Sequence, residues 1–404
     1  MNNSNLSEKC LHLLNTLCVE IPERTTGSQG NREATRFFKG KMDSLGWLTE
    51  SQEFDTVDWI DGGATLRSGN NEFKVLVSPY SKGCSVRSYL ESVSTVSELE
   101  NGDFTNKIIF LHGDIAREQL MPKNFVFYNP ENHQKIISLL EKSEARAIIC
   151  ATGRNAALAG GIYPFPLIED GDFDIPSVYM TEEEGIKLAG YSGKEVILNS
   201  VSERVPGKGY NVIARKGKPG NGRIVITAHI DSKKGTPGAI DNATGVVVLM
   251  LLADLLKDYS GNRQIEIVAF NGEDYYSVPG QMAWISANQE KFENILFNIN
   301  IDGAGYKEGK TAFSYYDLPD TVKNICSHVV KKHPGIIEGK PWPQGDHSIF
   351  LQYGRPALAV SSEWFIENID KQDITHTPKD NTGIVDCNKL VEIAAALRNL
   401  TIKI

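Results

Sequence analysis

No stretch of this sequence stays apolar for the roughly 20 residues that a bilayer-spanning helix needs, so no transmembrane anchor is expected. Basic residues do not dominate either: 42 Lys and Arg stand against 51 Asp and Glu, a formal net charge of −9 at pH 7. There is no broad positive field to attract nucleic acid or anionic lipid, and neither is expected as a partner. Cysteine is sparse. Cys10, Cys18, Cys84, Cys150, Cys326 and Cys387 contain no CxxC pair and read as reduced, packed thiols, which favours the cytoplasm. The opening MNNSNLSEKCLHLLNTLC lacks a basic start, an unbroken apolar stretch and a small-residue cleavage site. It is expected to form an amphipathic helix and not a signal peptide.

With 41% hydrophobic residues and no low-complexity tract, the 404 residues have the composition of a globular protein. They exceed what one ordinary core holds, so two compact domains are expected. After a helix over about 5–20 comes a turn-rich element, Glu23 to Gly30, and then a helix marked by Ala34, Phe37, Phe38, Met42 and Leu45. Short strands are expected over Ser51 to Val57, Gly63 to Arg67 and Phe73 to Val77. From Lys82 to Val201 the texture changes. Strands Lys107 to His112 and Arg146 to Cys150, with a helix over Glu131 to Ser143 between them, suggest a separate unit with a small core.

The C-terminal half alternates apolar strands with helices. Strands are expected at Ile224 to His229, Ile265 to Phe270, Leu296 to Ile301 and Ala357 to Ser361. Helices are expected at Asn242 to Lys257, Gly280 to Asn288, Asp320 to Lys332 and Asp386 to Leu400. This alternation implies an α/β fold with a mostly parallel, mixed sheet covered by helices on both faces. In such sheets ligands gather at the carboxyl ends of the strands.

Those ends are where the chemistry concentrates. One strand runs into His229-Ile230-Asp231, and the next loop ends in Asp241 directly before a buried helix. Another runs into Glu273-Asp274, a third into Asp302-Gly303, and a late loop carries His376. Taken singly, Asp241 is a helix cap, Asp302-Gly303 a turn, Glu273-Asp274 a solvated loop and His229 a structural histidine. Taken together, five segments deliver imidazoles and carboxylates to one sheet edge, a donor set suited to zinc or a related divalent ion.

At this point the sequence resembles the co-catalytic di-zinc exopeptidase family that includes aminopeptidase S, aminopeptidase Y and glutamate carboxypeptidase II. The matching pieces are HID at 229–231, GAIDNATG at 238–245, NGED at 271–274, DG at 302–303, QGDHSIF at 344–350 and HTPKDN at 376–381. RTTGSQGN at 24–31 matches the family's N-terminal turn. The resemblance implies a three-layer sandwich and two divalent ions, zinc above all, bridged by Asp241. His229 and Asp302 would complete one shell, Asp274 and His376 the other. Asp231 would orient the His229 imidazole, and Glu273 would be the general base acting on a water activated by the metals. His347 would meet substrate, through the developing oxyanion or a carboxyl group. Asp274 stands where many relatives place a longer Glu, which leaves its metal the more exchangeable of the two.

The resemblance also implies peptide substrates and an aminopeptidase activity, with a carboxypeptidase or dipeptidase on the same scaffold, or a glutaminyl-cyclase-like acyl transferase, as alternatives. A protease-associated domain, α/β or β-rich, is expected as an insert at 82–201, with the catalytic domain formed from 1–81 and 202–404. It would restrict access to the cleft. Homo-oligomerisation stays open at this stage.

Overall fold

The structure is a computed structural model that describes residues 3–21, 23–156 and 159–404. Met1 and Asn2, the start of the expected N-terminal helix, lie outside the described residues. The chain divides into two units, one comprising Met1–Thr56 with Lys208–Ile404 and the other Val57–Gly207. It passes between them within two long strands, Leu48–Ser68 and Glu195–Lys216.

In the first unit seven strands lie side by side in the order Ile336–Glu338, Thr311–Tyr316, Ala357–Ser362, Ile295–Ile301, Arg223–His229, Gln264–Phe270 and the final residues of Glu195–Lys216. The middle four are parallel to one another. Thr311–Tyr316 and Glu195–Lys216 pair antiparallel at either side, so the sheet is mixed. Register brings the chemistry level: Phe270 lies opposite His229, and Ile301 opposite Val360. Parallel strands ending at one height deliver their following loops to one edge.

The helices follow from the pattern of apolar residues. Thr244–Leu255 reads TGVVVLMLLADL and is buried at every position from Thr244 to Asp254. A helix apolar on all sides has no solvent face to offer. It packs between strand Arg223–His229 and the helices Asn3–Asn15 and Cys387–Thr401. Asp386 caps the last of these, accepting the Asn388 backbone N–H at 2.9 Å. The opposite face of the sheet is closed by Pro279–Asn288 and His347–Gln352 around Trp284, whose ring packs 5.6 Å from Phe270 and 5.3 Å from Phe350. Truncating so fully buried a tryptophan to alanine removes roughly 3–5 kcal/mol of stability.

The second unit has its own sheet, ordered from the first residues of Glu195–Lys216 through Cys84–Val93, Ile108–Leu111, Ala147–Thr152 and Ser177–Thr181 to Leu76–Val77. Its inner pairs are parallel, and apolar clusters cover both faces, one around Ile109, Leu111, Ile148 and Cys150, the other around Ile108, Phe110, Ile149 and Val178. Helix Glu131–Lys142 packs Ile136, Ile137 and Leu140 onto the first.

The structure corrects several expectations. The two strands expected over Ser51 to Val57 and Gly63 to Arg67 are one continuous strand, Leu48–Ser68, and Gly62-Gly63 is no break. Ile336–Glu338, Thr311–Tyr316, Cys84–Val93 and Glu195–Lys216 were not expected as strands. The boundaries expected at 81/82 and 201/202 both fall within the second unit; the division lies at 56/57 and 207/208, inside strands long enough to serve both units. Among the described residues no helix is long and apolar enough to cross a membrane.

Candidate metal centre

His229 is the last residue of its strand, and Ile230 continues the ladder one step by donating its N–H to the Phe270 carbonyl at 2.8 Å. The His229 and Glu273 loops therefore leave the sheet side by side. Asp302 follows strand Ile295–Ile301 directly, its own N–H held by the Val360 carbonyl at 2.9 Å. Asp241 lies in a tight turn, Ala239–Ala243, just before the buried helix, and His376 sits in a late loop with a left-handed φ of 62°. Gly238 opens the Asp241 turn with φ 57°, and a Cβ there would lie 2.6 Å from the Asp241 carbonyl oxygen, so only glycine fits.

These five segments converge. Asp241 divides its two carboxylate oxygens: Oδ1 lies 3.1 Å from His229 Nε2, and Oδ2 lies 3.1 Å from His376 Nε2. Asp302 Oδ1 stands 3.6 Å from the same His229 nitrogen, and Asp274 Oδ1 stands 3.1 Å from the same His376 nitrogen. One donor atom each from His229, Asp241 and Asp274 fall within 4.8 Å of one another. The donors thus sort into two sets that share Asp241.

Two buried carboxylates hold this arrangement from behind. Asp231, 1% exposed, accepts the backbone N–H groups of Gly272 at 2.8 Å and Glu273 at 3.3 Å on Oδ1. Its Oδ2 accepts Asp274 N–H at 3.0 Å and the Thr26 hydroxyl at 3.1 Å. Oδ1 also stands 3.7 Å from His229 Nδ1. Burial opposes the charge on Asp231, yet His229 and the Gly272 N–H keep its carboxyl below the usual range. Asp380, fully buried, accepts the N–H of Ile240 at 2.7 Å and of Asp241 at 3.1 Å. Burial, with Asp241 adding, pushes the Asp380 carboxyl up to about 7. Asp380, four residues after His376, thus fixes the backbone of Asp241.

The residues fit a divalent cation. Among the described residues, both ring nitrogens of His229 and Oδ2 of Asp274 are buried without a hydrogen-bond partner, although Nε2 lies close to two carboxylates. Close approach out of line for a hydrogen bond is what donors aimed at a common cation display. Burial works against protonating His229 and His376, but Asp302 beside the first and Asp274 beside the second raise both imidazoles well above their ordinary value. The carboxylates call for positive charge at these two positions, which ions would supply in place of protons.

Glu273 is half-buried beside Asp274, and burial raises its carboxyl well above the ordinary range, with His229 opposing and the Asp274 and Asp302 carboxylates reinforcing. His347 opens helix His347–Gln352 between Tyr316 and Trp342, with ring centroids 4.7 and 4.9 Å away. Its Nε2 lies 3.2 Å from the Trp342 carbonyl and so donates to it, leaving Nδ1 buried and without a partner. Burial pushes the imidazole down to about 4. A neutral ring donating through Nε2 can only accept at Nδ1, which argues against the expected contact to an oxyanion or a carboxylate. Sequence reasoning gave no role to Asp346 beyond its motif or to Gln281. Asp346 is buried, accepts the Gln281 side-chain N–H at 3.0 Å, and is pushed up to about 7 by burial.

Residues 211–401 match Peptidase family M28. A probable leucine aminopeptidase 2 of Trichophyton verrucosum is 22% identical over 391 residues, which is 91% of this chain and 66% of that protein. The chain therefore spans slightly less than two thirds of that relative's length. Among solved structures, an aminopeptidase from Aneurinibacillus sp. strain AM-1 superposes with a TM-score of 0.75 at 20% identity, covering 100% of this chain and 93% of its own. A zinc aminopeptidase from Bacillus subtilis does so with a TM-score of 0.75 at 18% identity, covering 98% and 94%. A glutaminyl cyclase of Macrostomum lignano is more distant, with a TM-score of 0.54 at 13% identity over 99% and 90%. The matched stretch, residues 211–401, is the one that carries His229, Asp241, Glu273, Asp274, Asp302 and His376.

Proposed function

We propose that this protein is a zinc-dependent aminopeptidase that removes residues from the free N-termini of peptides. The observation that carries the reading is the division of the Asp241 carboxylate between two imidazoles, 3.1 Å to each. One zinc would be held by His229, Asp302 and Asp241, the second by His376, Asp274 and Asp241. Bound there, the ions would acidify water and polarise the scissile carbonyl.

The protein's own groups do the rest. Glu273 takes the proton of the attacking water and returns it to the leaving amine, work that suits a carboxyl whose pKa stands above the ordinary carboxylate range. Its backbone N–H is fixed by Asp231, so the base and Asp274 leave one turn in set directions. Asp231 orients the His229 ring. His347 accepts a substrate N–H at Nδ1, since its Nε2–H is committed to Trp342. The insert expected at 82–201 lies within the unit Val57–Gly207, which stands as the protease-associated domain of this reading.

The leucine aminopeptidase name of the Trichophyton relative and the zinc of the Bacillus structure support the assignment. A panel of aminoacyl chromogenic amides, compared with N-blocked peptides bearing free C-termini, tests it. Cleavage of the free-amine set is expected; cleavage of the blocked set alone would make the protein a carboxypeptidase.

A further inference from the structure

The loop that joins His229 to Asp241 has its two ends tied by one side chain. Arg24 is 1% exposed and comes from the turn that precedes helix Gln29–Ser44. Its Nε donates to the Ile230 carbonyl at 3.0 Å, Nη1 to Pro237 at 2.8 Å and to Leu17 at 2.7 Å, and Nη2 to Gly238 at 2.7 Å. Ile230 directly follows His229, and Gly238 precedes Asp241 by three residues. Gly238 has no Cβ to block the approach: one built there would lie 2.8 Å from Nη2. The Arg24 backbone joins in, its carbonyl accepting from Asn31 Nδ2 at 2.9 Å and from the Ser232 N–H at 3.4 Å.

We infer that Arg24 is a positioning residue for the metal centre, its guanidinium setting the spacing between His229 and Asp241 by clamping Ile230 to Pro237 and Gly238. All four acceptors are backbone carbonyls, so the group recognises the path of the loop and not a charge on it. A planar fork with five donors can hold both loop ends at fixed directions, whereas a lysine ammonium is a point donor and cannot reproduce that geometry. A loop left untied must order itself each time the two donors are brought together, at the expense of cation affinity. The inference rests on reading His229 and Asp241 as metal ligands.

The test compares the parent protein with Arg24→Lys and Arg24→Ala. Three quantities are read: zinc affinity by chelator competition, melting temperature of the zinc-free protein, and kcat and KM on an aminoacyl amide. Arg24→Lys is expected to melt close to the parent while binding zinc about 10–100-fold more weakly, the range seen when groups that orient metal ligands are removed. Its kcat should fall at limiting zinc with KM little changed. Methylguanidinium should restore zinc affinity and kcat to Arg24→Ala and leave the parent unaffected. Parent-like zinc affinity and kcat in Arg24→Lys would overturn the inference and leave the metal reading standing. So would a melting temperature that collapses in both variants with no rescue, which makes Arg24 a residue of the fold alone. A parent that binds no zinc removes both readings together.

Discussion

Asp231 accepts the backbone N–H of Asp274 at 3.0 Å on one oxygen, while its other oxygen takes the N–H groups of Gly272 and Glu273. One buried carboxylate, two residues beyond the strand that ends at His229, thus fixes the turn that carries Glu273, the proposed base, and Asp274, a proposed metal donor. Asp231→Asn should turn an NH2 toward these donors and leave part of them unpaired. A loss of about 1–3 kcal/mol in stability is expected, and zinc affinity should weaken about 10–100-fold. Denaturant unfolding and chelator competition measure the two.

Glu273→Gln keeps shape and removes the base. A fall in kcat of about 10²–10⁴ is expected, with zinc content and melting temperature held at parent values. Steady-state kinetics together with elemental analysis check it. Activity that survives at parent level would place the base elsewhere.

The core of this arrangement was legible because its signal is local. Ile224 to His229, Ile265 to Phe270 and Leu296 to Ile301 are largely apolar runs with a histidine or an acid at their end or within three residues of it, and the structure ends its strands at His229, Phe270 and Ile301. What stayed hidden depends on partners far away in the chain. Asp380 reaches back some 140 positions to the N–H groups of Ile240 and Asp241, and Arg24 reaches more than 200 to Ile230. Neither distance leaves a trace in spacing. The strand Leu48–Ser68 reads from sequence as two pieces, Ser51 to Val57 and Gly63 to Arg67. The contribution that fixes it is pairing, including Leu66 opposite Phe73, and not propensity.

Asp346 and His347 should titrate in opposite senses in the zinc-free protein. Burial holds the Asp346 carboxyl near 7 against 3.8 when exposed, so its stabilising contribution is complete below 3.8 and is lost as pH rises through 7. Burial holds His347 near 4 against 6.5, so its contribution is complete above 6.5 and is lost as pH falls through 4. The effects are about 4 kcal/mol for Asp346 and about 3 kcal/mol for His347. Between pH 4 and 6.5 the two oppose each other, so Asp346→Asn should leave a stability that rises with pH across that window, and His347→Gln one that falls. Denaturant midpoints from pH 4 to 8 measure both.

Asp274 has a shorter arm than the glutamate that many relatives of the resembled family place there. Asp274→Glu is expected to slow release of the zinc on the His376 side while leaving the His229 side unchanged. Stepwise chelator removal reads this directly: the parent should lose one ion well before the other, and the variant should narrow the gap.

Asp241 is proposed to serve two ions, and zinc stoichiometry by equilibrium dialysis with elemental analysis measures that most directly. The parent is expected to hold two zinc per chain and His376→Ala one. A parent saturating at a single zinc, with His376→Ala unchanged from it, would contradict the shared-carboxylate centre.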